Sequence, residues 1–116
     1  MDGQRIEQMG QSNEIRCRNI WQNGKPTGGY AHGPGMCIAW QDGPRGTVDG
    51  VLQPANGAFV EDALVAAHQR LDFFQRSEFV HPDNAEAMGH IQSAIDALHR
   101  RAKARAERGV LGSHAV

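Results

Sequence analysis

Polar and apolar positions alternate with a period of two near the amino-terminal end and change to three-four spacing in the second half. From Glu14 to Trp21, Ile15, Cys17, Asn19 and Trp21 alternate with Arg16, Arg18 and Ile20, which predicts a half-buried strand with Cys17 facing inward. Asn23-Gly24 followed by Pro26 is a turn signal. Met36-Cys37-Ile38-Ala39-Trp40 is a short apolar run bounded by turn residues and predicts a second strand. Gln41 to Gly46 reads as a turn, and Thr47 to Gln53 as a third strand interrupted by Gly50. Between the first two, the glycine-rich stretch Gly28–Gly35, with Pro34, is too permissive for a regular element and predicts an irregular connection.

After Pro54–Gly57 the period changes. Val60, Leu64, Ala67, Leu71 and Phe74 recur at spacings of four and three, predicting one apolar stripe on a helix from about Ala58 to Gln75, with Asn56 as its N-cap. His81-Pro82-Asp83 breaks that pattern. Pro82 can open a second helix with Asp83 or Asn84 near its cap, and Met88, Ile91, Ile95, Leu98 and Ala102 repeat the spacing until Gly109 supplies a stop. Two helices joined by so short a break predict an antiparallel hairpin.

The expected fold class is therefore α+β, a small antiparallel sheet followed by a two-helix hairpin. The expected organisation is one domain: residues 1–13 as a flexible arm or a segment ordered only by a neighbour, 14–55 as the glycine-rich sheet, and 56–116 as the hairpin and tail. Such a sheet has little core of its own. With 116 residues and 40% hydrophobic content, partner chains could usefully bury more apolar surface, so self-association is expected.

Charge refines this picture. The formal net charge of −1 hides a polarised chain: residues 58–99 hold Arg70 and Arg76 against seven acids, net −5, whereas residues 100–116 hold five bases against Glu107, net +4. A basic end on a nearly neutral chain points to a local anion site, since wrapping DNA needs a broad positive field; no DNA partner is expected. No apolar stretch approaches the ~20 residues that cross a bilayer, and neither Cys17 nor Cys37 sits in a CxxC, so a reduced, cytosolic chain is the simple reading.

Candidate chemistry concentrates in the last third. Leu98, Arg101, Arg105 and Arg108 return close to one helical face, continuing the apolar seam with guanidinium groups. The same cations also complement the carboxyl end of a helix dipole, and their stems cover apolar surface. Phe74 by itself reads as core and Asn84 as a cap, but an aromatic ring, an amide and guanidinium groups can together hold a flat anion. Asn84 and Arg101 are seventeen positions apart, about 25 Å along a helix, so one small ligand contacts both only if a second protomer runs antiparallel alongside.

In the sheet region, Gly43-Pro44-Arg45-Gly46 can present Arg45 and backbone amides to a phosphate, or be an ordinary exposed turn. Gly28–Gly35 is neither a dinucleotide fingerprint nor a P-loop. Cys17, His32 and Cys37 lack a fourth partner at metal spacing, and His68, His81, His90, His99 and His114 are scattered. Neither a catalytic centre, a metal site nor a cofactor is expected.

From Asn56-Gly57-Ala58-Phe59-Val60-Glu61-Asp62 through His114, with Phe74, Asn84 and the tail ARAERGVLGSH, the chain resembles the helical hairpin of phage immune-signal sponges, the anti-Thoeris and anti-CBASS proteins. The glycine-rich sheet before it looks like the amino-terminal portion of the anti-Thoeris branch. The resemblance implies binding without turnover of glycocyclic ADP-ribose, the messenger of bacterial TIR enzymes, with cyclic di- or trinucleotides as further cargo. It also implies dimers that assemble further as trimers of dimers, in the cytoplasm of an infected bacterial host.

By the same resemblance Phe74 stacks on adenine, Asn84 bonds base or ribose, and Arg101 pairs with phosphate from the adjoining protomer, with Arg45 and Arg18 as further ligand-binding candidates. Arg105, Arg108, Ser113 and His114 are then candidates for a second pocket near the chain end. A nucleotide-processing enzyme and a structural or oligomerisation module of a phage particle are the competing classes. The residue inventory offers the former no obvious base or nucleophile.

Overall fold

The computed structural model describes residues 4–5, 14–111 and 113. The chain divides into two compact units, one reaching Ala58 and the other spanning Phe59–Leu111. The fold is α+β, as expected: antiparallel strands followed by two helices.

In the first unit, β1 (Gln4–Arg5), β2 (Arg16–Gln22), β3 (Lys25–Gly33) and β4 (Met36–Ala39) form an antiparallel sheet in that order. Most of the expected amino-terminal arm lies outside the described residues; Gln4 and Arg5 pair with Cys17 and Arg16. The β2–β3 turn is Asn23-Gly24, at φ 52° and 73°, the left-handed pair that matches the twist of a two-residue hairpin.

The glycine-rich connection expected at Gly28–Gly35 is instead mostly strand, since β3 continues to Gly33 and only Pro34-Gly35 turn the chain. Pairing decides it: β3 is central, with Ala31 opposite both Cys17 and Ile38, and ladder bonds on two sides outweigh the low strand preference of glycine. Gly29 has its own reason to be glycine. At φ 146° beside the register shift between Asn19 and Trp21, a Cβ there would lie 2.1 Å from the carbonyl oxygen of Arg18.

That bulge also ends the predicted alternation. Ile15 and Cys17 are half-buried and Ala31 is buried against them on one face, whereas Asn19 is exposed and Trp21 is 59% exposed. On the other face Arg16, Arg18, Tyr30 and His32 are exposed, the last two rings stacked at 5.0 Å.

The single strand expected over Thr47–Gln53 is a hairpin of two short strands, β5 (Thr47–Val48) and β6 (Val51–Leu52). Asp49-Gly50, at φ 52° and 78°, makes the same kind of turn as Asn23-Gly24.

Asn56 is not a helix cap. Its side chain accepts from the Asp42 amide at 2.8 Å and donates to the Asp42 carbonyl at 3.1 Å, while Gln41 Oε1 accepts from the amides of Asn56 and Gly57. This clasp closes the unit beside the Trp40–Ala58 bridge.

The second unit is an antiparallel hairpin of α1 (Val60–Gln75) and α2 (Pro82–Glu107). Phe59 is the N-cap of α1, its N–H donating to the Asp62 carboxylate at 2.7 Å. His81, not Asp83 or Asn84, caps α2, with Nδ1 accepting from the Asp83 amide at 3.0 Å and Pro82 in the first turn where its missing N–H costs nothing.

The α2 stripe is as expected: Met88, Ile91, Leu98 and Ala102 are half-buried and Ile95 is 5% exposed. The α1 stripe is rotated. Leu64, Leu71 and Phe74 pack inward, but Val60 is 54% exposed, Ala67 is exposed, and His68 takes the inward position between Leu64 and Leu71. Spacings of four and seven from Leu64 put His68 and Leu71 on the side that meets α2.

Gly109, at φ 73°, ends α2 as expected. Its N–H reaches the Ala106 carbonyl and the Val110 N–H the Arg105 carbonyl, the paired bonds of a Schellman motif. Among the described residues no helix is long and apolar enough to cross a membrane.

Candidate functional site

The turn between α1 and α2 gathers the side chains best suited to a ligand. Gln75, the last residue of α1, extends Oε1 across the turn, where it accepts from the His81 N–H at 2.9 Å and from Asn84 Nδ2 at 3.0 Å. The second hydrogen of Asn84 Nδ2 goes to the Phe79 carbonyl at 3.1 Å. Ser77 tightens the same turn, donating its hydroxyl to the Phe74 carbonyl at 2.6 Å and accepting from the Phe79 N–H at 3.1 Å. Asn84 is thus fixed by the loop that it spans.

The aromatic part adjoins this network. Phe74 is half-buried, 5.9 Å from the Phe73 ring and 6.4 Å, edge to face, from the Phe79 ring. Phe73 and Phe79 are 52% and 65% exposed, and Val80 extends the same open patch. Arg70 lies one turn before Phe74, and its guanidinium stands 4.8 Å from the Phe74 ring centroid and 5.0 Å from that of Phe73, within cation–π range.

The structure therefore brings Phe74 and Asn84 together, through Gln75 and Phe79, within one hairpin. Arg101 is not part of that cluster. It is exposed on the same uninterrupted α2, seventeen residues and about 25 Å beyond Asn84.

Among the proposed second-pocket residues, Arg105 is half-buried and donates from Nη2 to the Val110 carbonyl at 3.1 Å, bracing the helix end. Arg108, the C-cap of α2, and Ser113 are exposed, and His114 lies outside the described residues.

The two sheet candidates belong to the first unit. Arg18 is exposed on β2, and Arg45 is half-buried with Nε donating to the Gln53 carbonyl, a bond that closes the β5–β6 hairpin.

Arg70, Gln75, Phe73 and Phe79 are not among the site residues expected from the sequence. Arg70 had a signal, because an arginine four residues before a phenylalanine on a helix lies beside its ring. Gln75 had none: its role depends on how the turn returns the chain to Asn84.

Chemically the cluster offers π-surface, one cation and a fixed amide, groups that bind by stacking, charge and hydrogen bonding. Among the described residues no group of three or more His, Cys, Asp or Glu side chains could hold a metal ion.

No protein-family model matches the chain. Over 60 residues, 52% of its length, it is 40% identical to Thoeris anti-defense 1 of Bacillus phage SBSphiJ7. The chain spans 42% of the length of this anti-Thoeris relative.

Proposed function

We propose that the chain is a phage anti-Thoeris sponge, binding nucleotide second messengers and holding them intact inside the infected host cell. The observation that carries this reading is the pairing of Phe74 and Asn84 at an exposed aromatic turn, with Arg70 over the ring, in a chain similar to Thoeris anti-defense 1. A ring for stacking, an oriented amide and a cation suit a nucleobase attached to phosphate. Mass action would do the rest: stoichiometric complexes keep the free messenger below the threshold of its effector.

The cargo we assign is glycocyclic ADP-ribose made by TIR enzymes, with cyclic di- and trinucleotides as further ligands. Arg101 would meet the phosphate of a ligand held by a neighbouring protomer, because α2 keeps it too far from Asn84 to serve the same small ligand in one chain. Self-association has independent support. Among the described residues only Ala31 and Ile95 are buried apolar side chains, while Phe59, Val60, Val65, Phe73, Phe79 and Val80 are exposed on the hairpin unit. A dimer, and a trimer of dimers built from it, would cover such surface.

The test is release of cargo. Protein incubated with the product of a TIR enzyme, washed and heat-denatured should return the messenger at its original mass and in stoichiometric amount. Recovery of cleaved nucleotide alone would place the protein among enzymes. Absence of binding to a panel of cyclic nucleotides at micromolar protein would favour a structural module.

A further inference from the structure

We infer that Asn84 reads its ligand as a hydrogen-bond acceptor and so selects a base or sugar that presents an N–H or O–H donor, with Gln75 as the residue that sets this polarity. The inference rests on the proposed ligand site at the α1–α2 turn and concerns its specificity.

An asparagine amide offers two N–H donors on one side and a carbonyl oxygen on the other, and rotation by half a turn exchanges them. Here the rotation is prevented. Gln75 Oε1 accepts from the backbone N–H of His81 at 2.9 Å, and a backbone N–H can only donate, so the atom Gln75 turns toward Asn84 is its oxygen. That oxygen requires a donor and takes one hydrogen of Asn84 Nδ2 at 3.0 Å. The other hydrogen meets the carbonyl oxygen of Phe79 at 3.1 Å, which can only accept.

Both amide hydrogens are consequently used inside the protein, and two backbone groups of opposite polarity, at His81 and Phe79, fix the orientation at each end. Asn84 Oδ1 has no intramolecular donor among the described residues, and Asn84 is only half-buried. It is the hydrogen-bonding atom of that side chain left for a ligand.

Phe79 ties this polarity to the stacking surface. Its carbonyl holds Asn84 while its ring packs edge to face on Phe74, so a ring stacked at the aromatic cluster lies near the acceptor. Adenine, whose exocyclic amino group donates, satisfies Oδ1. Hypoxanthine, which carries a carbonyl at the same position, would set two acceptors against each other.

The experiment measures, by calorimetry on the full chain, capture of the adenine-containing TIR product and of its deaminated counterpart carrying hypoxanthine. The wild-type protein should prefer the adenine form by about tenfold or more, the value of one hydrogen bond lost with its acceptor left unpaired. In Gln75→Leu the Phe79 carbonyl alone restrains the amide, and the preference should shrink. Gln75→Glu keeps an oxygen facing both His81 and Asn84 and should retain it.

Equal capture of the two forms by wild-type protein would overturn the assignment of polarity, and an unchanged ratio in Gln75→Leu would overturn the role given to Gln75, each leaving the sponge reading standing. Capture of neither form would remove the sponge reading and the inference with it. The ratio is the decisive readout, since a merely structural defect in Gln75→Leu weakens both ligands alike. The wild-type comparison stands even if that variant fails to fold.

Discussion

The guanidinium of Arg70 stands 4.8 Å from the centre of the Phe74 ring, one helical turn along α1. A base that stacks on Phe74 must therefore use the opposite face or slide between ring and guanidinium, and in either case the cation is close to the negative charge of a bound nucleotide. Phe74→Ala should weaken capture of the TIR product by about ten- to a hundredfold, from a stacking contribution of about 1–3 kcal/mol. Because Phe74 is only half-buried, the helical circular dichroism should persist. A Phe74→Ala chain that unfolds would make the residue part of the core and not of the site.

Arg101 is exposed, so its replacement should cost the fold no more than about 0.5 kcal/mol. Under the proposed arrangement Arg101→Glu should lower messenger affinity by at least tenfold at low salt, with the sedimentation behaviour of the assembly unchanged. Wild-type-like affinity in that variant would show that no protomer brings Arg101 to the phosphate.

Ile95 is the one buried side chain of the hairpin among the described residues, and it lies in the middle of α2. Ile95→Ala should destabilise the unit by about 2–4 kcal/mol. Thermal denaturation followed at a helical wavelength measures this directly. A loss below about 1 kcal/mol would mean that the two helices can close over the missing atoms.

In the sheet, two glycines should respond differently to the same added methyl group. At Gly29 a Cβ would meet the Arg18 carbonyl oxygen at 2.1 Å, whereas at Gly24 it meets nothing within 4 Å and only the φ of 73° is unfavourable. Gly29→Ala should cost on the order of 3 kcal/mol or more, and Gly24→Ala about 1 kcal/mol. Denaturant titration followed by the fluorescence of Trp21 and Trp40 would rank them. The reverse order would contradict the register of β2 on β3.

Several elements were legible because their signals are local. Asn23-Gly24 announces its own turn by tolerating positive φ, Pro82 opens α2, and Gly109 ends it. The stripe from Met88 to Ala102 reads correctly since the packed face of α2 contains no polar interruption. Asp49-Gly50 carried the same hairpin signal as Asn23-Gly24, yet the flanking strands are two residues each, too short to show alternation. On α1 the packed stripe runs through His68 and not Ala67, because an imidazole can line a seam as well as an alanine, whereas hydropathy alone favours the alanine.

The sequence alone determined the α+β order of elements and the hairpin, both of which follow from short-range periodicity and from the conformational limits of glycine and proline. Only the tertiary structure decided that Gly28–Gly33 is strand, that Asn56 clasps Asp42 and caps no helix, that Gln75 and not solvent receives the Asn84 amide, and that Arg70 covers Phe74 while Arg101 lies far along α2. Each of these depends on which distant backbone groups a fold brings within hydrogen-bond reach. A donor or acceptor does not announce its partner in one dimension, because that choice is made by the path of the chain between them.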